Sequence, residues 1–169
     1  MLLRTIIFIS IILNYNILYA NPAPLNLEIN KATLQDVKKS YKILSQEDYP
    51  PIGKEYFLDI KNIDIQQLKK AYVLCDDNDI VKIIQLTIGK NRFHEIYESL
   101  AKKYQLIGIP RVGDKLAEFI DEDTRIVLEA PHMSFDMHLN YFTKEIAKKV
   151  LEVEENKNSK KRAKEENAL

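Results

Sequence analysis

The stretch that decides the fold is Leu86–Tyr104, with the sequence LTIGKNRFHEIYESLAKKY. Its start is typical of a strand, and its later apolar residues recur at helical spacing. The helical stripe comprises Phe93, Ile96, Tyr97, Leu100, Ala101 and Tyr104. We therefore predict a strand that passes through a short turn into a helix over residues 91–104, with its apolar face docked on a sheet.

An earlier segment, Leu27–Tyr41 with the sequence LEINKATLQDVKKSY, resembles the first one. An alignment of the two segments that pairs Leu27 with Leu86 also pairs apolar residues with apolar residues and acidic residues with acidic residues. Thr33, with Asp36 three residues later, matches a capping box at a helix start. We therefore predict a strand at residues 27–29 and a helix that begins after Thr33, includes Leu44 and ends before residues 49–53.

Two predicted hairpins follow the two helices, and each turns at an acidic cluster. The first joins residues 70–75 to 80–88, and the second joins residues 115–120 to 125–130. Another strand is predicted at residues 56–60. A last one is predicted at residues 133–141, where Met133, Phe135, Met137, Leu139 and Tyr141 alternate with polar residues.

The predicted fold class is α+β, with helices packed on one face of an antiparallel sheet. Residues 21–153 would form a single domain, since a chain of 169 residues usually makes one. Residues 27–88 and 89–142 are candidates for two related helix–hairpin halves, and chance similarity between two amphipathic units is the alternative. A last helix capped by Thr143 precedes a charged tail at residues 154–169, for which we predict disorder or a frayed helix.

The N-terminal residues 1–20 have the order of a secretory signal. Arg4 precedes an apolar run, and Ala20 offers a small residue for cleavage. We predict a periplasmic or secreted protein that begins near Asn21, with a retained membrane anchor as the alternative. The single cysteine, Cys75, cannot form an intramolecular disulfide, and its apolar neighbours predict a buried side chain.

Composition excludes strong electrostatic attraction to polyanions. Lys and Arg together number 25, as do Asp and Glu. A chain with no net charge offers no field that would attract nucleic acid or an anionic membrane. We therefore predict no nucleic-acid partner.

The acidic turns supply the candidate partner-binding residues, which are Asp76, Asp77, Asp79, Glu122 and Asp123. If the two hairpins lie side by side, their tips form an acidic rim that suits a basic partner. Asp and Asn are also ordinary turn formers, which is the alternative explanation. Neither cluster has the glycine and glutamate spacing of a calcium-binding EF-hand.

The alternative function is metal binding in the periplasm by His132, Asp136 and His138. Residues two apart on a strand face lie roughly 6.5–7 Å apart, and residues four apart roughly 13 Å. Zinc ligands must converge within about 2 Å of one ion, so a solvated polar face is the main prediction. No catalytic sequence motif is present, and we predict neither a cofactor nor enzymatic activity.

The residues Ala32–Val37, the hairpin around Asp76–Asp79 and the export signal carry a resemblance to small bacterial envelope modules. The chain resembles the BamE (SmpA/OmlA) domain and the tandem modules of β-lactamase-inhibitor-like proteins. It departs from them in having no lipobox cysteine and no glycine ahead of Thr33. The resemblance implies an exported, non-catalytic protein-binding or envelope-associated module, whose partner is another envelope or secreted protein.

Overall fold

The computed structural model describes residues 21–108 and 115–152, together with Glu155 and Ser159. The described strands form one antiparallel sheet in the order β1-β2-β3-β4-β8-β7-β6-β5. The strands are β1 (Ile43–Tyr49), β2 (Gly53–Leu58), β3 (Leu68–Asp76), β4 (Val81–Gly89), β5 (Gln105–Gly108), β6 (Lys115–Asp121), β7 (Thr124–Ala130) and β8 (Asp136–Thr143). The α-helices of the described part are α1 (Leu34–Ser40), α2 (Phe93–Ala101) and α3 (residues 144–152).

The predicted fold class is wrong, because the described chain is mainly sheet and its helices are short. Helix α1 has 7 residues and α2 has 9. Both helices contribute to the main core, whereas Ile146 of α3 packs with Ile52 and Leu74 in a separate cluster. Strand alternation places Leu74 on the opposite face from its neighbours in the main core. Helices therefore contact both faces of an eight-stranded sheet.

Helix α1 begins as predicted but ends early. The Thr33 hydroxyl accepts a hydrogen bond from the Asp36 backbone N–H, and the Asp36 carboxylate accepts one from the Thr33 N–H. The helix ends at Ser40, and the chain continues as β1, where Leu44 is 60% exposed. Pairing of β1 with β2 satisfies the backbone hydrogen-bonding groups of this segment. The apolar spacing that included Leu44 therefore did not mark a helix.

Two further element predictions are corrected. Residues 27–29 are not a strand, although Leu27 and Ile29 are fully buried after the short 3-10 turn Pro24–Asn26. The second helix ends at Ala101, which is exposed, and residues 105–108 form strand β5 against β6. Both errors have one cause, since the spacing of a few apolar residues does not itself specify the backbone conformation.

Strand β8 starts later than predicted. Met137, Leu139 and Tyr141 are buried and alternate with polar residues, as the pattern predicted. Met133 and Phe135 were predicted to share that buried face, and this is wrong. Each is 91% exposed, in the turn that precedes the strand.

Within the described residues, the two predicted halves have the same element order. Each has one α-helix followed by four antiparallel strands, where the sequence predicted a helix and a hairpin. They meet at the centre of the sheet, where β4 pairs with β8 and Leu86 lies opposite Leu139. A common origin of the halves stays a prediction. The predicted signal segment lies outside the described residues, and so does nearly all of the predicted tail.

Candidate functional site

The acidic turns lie at one end of the sheet. Strand register places Thr124 opposite Thr143 and Ile83 opposite Phe142, so the β3–β4 and β6–β7 turns flank the end of β8. Three strand spacings separate the two tips, which corresponds to about 15 Å. The topology therefore places Asp76, Asp77, Asp79, Glu122 and Asp123 at the same end, with the start of α3 between the two tips.

Two of these carboxylates, those of Asp76 and Asp123, have polar partners nearby. Asp76 accepts hydrogen bonds from the N–H groups of Asn78 and Ile80, and its second oxygen lies 3.4 Å from Lys82 Nζ. The Asp123 carboxylate lies 3.8 Å from Lys144 Nζ. Asp79 and Glu122 occupy positive-φ turn positions, which aspartate tolerates better than most residues. Turn chemistry thus explains much of the acidic composition.

We expect Asp76→Ala to lower the free energy of unfolding by about 1–2 kcal/mol, because it removes two turn hydrogen bonds. Asp77→Ala is the matched control: Asp77 is exposed, and we expect a change within about 0.5 kcal/mol. Urea unfolding of both variants measures the difference. Equal effects of the two substitutions would contradict the assigned role of Asp76.

The candidate metal ligands are not brought together. His132 lies exposed in the turn before β8, whereas Asp136 and His138 lie on β8 itself. Asp136 forms an ion pair with Lys69, and His138 Nδ1 lies 3.4 Å from the Thr87 hydroxyl. Among the described residues, no group of three or more His, Cys, Asp or Glu could hold a metal ion.

A surface that sequence analysis missed lies at the other end of the sheet. Residues 131–135, which we call the apolar loop, connect β7 to β8 and expose Met133 and Phe135 almost completely. Aromatic residues and methionine are enriched in protein–protein interfaces. A single exposed apolar residue is common on protein surfaces and does not by itself indicate an interface. Here two large apolar side chains project from one short connection.

The apolar loop is held in place by hydrogen bonds. The Ser134 N–H donates to the carbonyl of Pro131, and the Ser134 hydroxyl accepts from the N–H of Asp136 at 2.9 Å. The Lys90 N–H donates to the Phe135 carbonyl at 2.9 Å, and the Lys90 ammonium donates to the carbonyls of Pro131 and His132. The exposed side chains therefore project from an ordered backbone, which lowers the entropic cost of binding.

Two lysines beside the apolar loop take part in this scaffold. The Lys90 ammonium bonds to backbone carbonyls, and the Lys69 ammonium pairs with the carboxylate of Asp136. Neither ammonium is left free as a separate attraction for an anionic surface.

Comparisons of the chain with protein-family models, with curated proteins and with solved structures gave no match. The resemblance to envelope modules therefore stays a prediction. Within the described part of the chain, none of the helices has the length and apolar character needed to cross a membrane.

Proposed function

We propose that this protein is an exported, non-catalytic binding module that docks on a partner protein through the apolar loop. The observation that carries this proposal is the 91% exposure of both Met133 and Phe135 on a hydrogen-bonded turn. Solvent-exposed aromatic and methionine side chains gain free energy when a partner pocket covers them. The fitting partner is another exported protein with an apolar pocket.

The charge distribution favours a protein over a lipid surface as the partner. Stable attachment of a peripheral protein to a membrane usually needs a basic patch in addition to a small apolar insertion. The chain has no net charge, and the two lysines beside the loop are engaged internally. These two lysines therefore do not supply such a basic patch.

The described chemistry also supports a non-catalytic role. Cys75 is fully buried, and burial raises the pKa of its thiol to about 12, so the reactive thiolate is disfavoured. His138 lies beside the hydroxyl of Thr87, on the neighbouring strand β4. At that distance, His138 does not activate the Thr87 hydroxyl as a nucleophile unless a further group orients the imidazole.

Photo-crosslinking from the apolar loop tests the proposal. We would replace Phe135 with p-benzoylphenylalanine in the full chain, expressed in cells, and irradiate. Leu44, which is 60% exposed on the edge strand β1, provides the matched position away from the loop. We expect a discrete protein adduct at position 135 that is lost when Met133→Ser is added, and no such adduct at position 44.

Each other outcome contradicts the proposal in a distinct way. A lipid adduct at position 135 would identify a membrane surface, and an adduct between two copies would identify self-association. A benzophenone at Asp77 tests the acidic rim: an adduct there and none at position 135 would place the partner at the opposite end of the sheet.

A further inference from the structure

A cleft of about 640 Å³ lies over the central strands, on the side of the sheet that carries α2. Its floor is apolar and comes from β4 and β8, and its walls come from α2, the turn at Pro24–Asn26 and residues 64–66. The floor residues are Leu86, Ile88, Leu139 and Tyr141. This volume lies within the range of roughly 300–1,000 Å³ that is typical of small-molecule sites.

Tyr141 supplies a polar group to this apolar floor. Its side chain is only 7% exposed, but its hydroxyl is not among the fully buried polar atoms of the described residues that lack a hydrogen-bond partner. Burial raises the pKa of Tyr141, so the hydroxyl keeps its proton and can donate. Because Tyr141 lines the cleft, a group that enters the cleft can accept a hydrogen bond from this hydroxyl.

The rim of the cleft carries one cation that is not already engaged. Arg92 is held by the Glu95 carboxylate and donates to the carbonyl of Gln66 at 2.9 Å. Lys103, two residues after the end of α2, is exposed, and its ammonium has no ion-pair partner in the part of the chain that the structure describes. Asp64 adds one carboxylate at another wall.

We propose that this cleft binds a small amphipathic carboxylate. Its apolar body would cover Leu86 and Leu139, and its carboxylate would accept hydrogen bonds from the Tyr141 hydroxyl and the Lys103 ammonium. The apolar floor supplies affinity, and the two donors at the floor and rim supply orientation. This site is on the main-core face and is independent of the apolar loop.

Decanoate is the probe for the first test, with binding followed by NMR of ring-labelled tyrosines in the full chain. We expect saturable one-to-one binding and a loss of affinity of about tenfold in Tyr141→Phe, because a hydrogen bond to a charged group is removed. Tyr72→Phe is the matched control, since it removes a phenol outside the cleft, where the ring packs against Phe57.

Ser99→Trp is the blocking variant, because Ser99 is an exposed residue of α2 that lines the cleft. It should abolish decanoate binding while leaving crosslinking at position 135 intact, which separates this proposal from the docking role. Decanol is the headgroup control and should bind more weakly. No saturable binding of decanoate, equal binding of decanol, or unchanged affinity in both variants would overturn the proposal.

Discussion

Phe119→Ala should lower the free energy of unfolding by about 3–5 kcal/mol, because it deletes a large fully buried side chain. Phe119 lies on β6 and is 0% exposed, and the centroid of its ring lies 5.7 Å from the ring centroid of Tyr97 on α2. The substitution leaves a cavity where α2 packs on the sheet, so it removes both apolar burial and packing contacts. Denaturant unfolding with an unchanged m-value measures the effect.

Phe135→Ala is the matched control, since it makes the same truncation on a side chain that is 91% exposed. We expect a change within about 0.5 kcal/mol. If Phe119→Ala does not fold, Phe119→Leu should still show a smaller loss of stability than the full truncation. Similar losses of unfolding free energy in Phe119→Ala and Phe135→Ala would contradict the buried position of Phe119 and the exposed position of Phe135.

Gly53→Ala should destabilise the protein by about 2–4 kcal/mol, through a strained backbone and a steric clash. Gly53 has a φ of +153° and begins β2 opposite Asp76. A Cβ at this position would lie 2.0 Å from the Cys75 carbonyl oxygen and 2.8 Å from the Asp76 Cα. Both neighbours are backbone atoms of the adjacent strand, so relief requires movement of the strand pair.

Gly89→Ala offers a matched comparison at the end of β4. There the added Cβ would meet mainly the side-chain oxygen of Gln67, which can rotate away. We expect a cost of about 1 kcal/mol or less, measured by the same unfolding titration. A larger loss at Gly89 than at Gly53 would show that the β2–β3 contact is looser than described.

Local signals predicted several elements correctly from the sequence. The capping box at Thr33 is a contact between residues three apart, and the alternation of Met137, Leu139 and Tyr141 follows directly from strand geometry. The extent of the helices was wrong because Leu44 fits a helical stripe and also an edge strand. What decided between them was the pairing of β1 with β2, which local spacing does not encode.

The candidate surfaces depend on non-local geometry to different degrees. Met133 and Phe135 continue the alternation of β8, so periodicity alone placed them in the core. Pro131, which starts the turn, was the available signal for a late strand start. The cleft could not be predicted, since it exists only because β4 pairs with β8 and brings Leu86 and Tyr141 to one floor.

The affinity of the crosslinked partner for the double variant Met133→Ser, Phe135→Ser tests the central claim most directly. Both side chains are exposed, so the variant should unfold with the wild-type free energy within about 0.5 kcal/mol. We predict that its Kd for the purified partner rises at least about tenfold, as expected when interface anchors are removed. Leu44→Ser should bind like the wild type. An unchanged Kd in the double variant would contradict docking through the apolar loop.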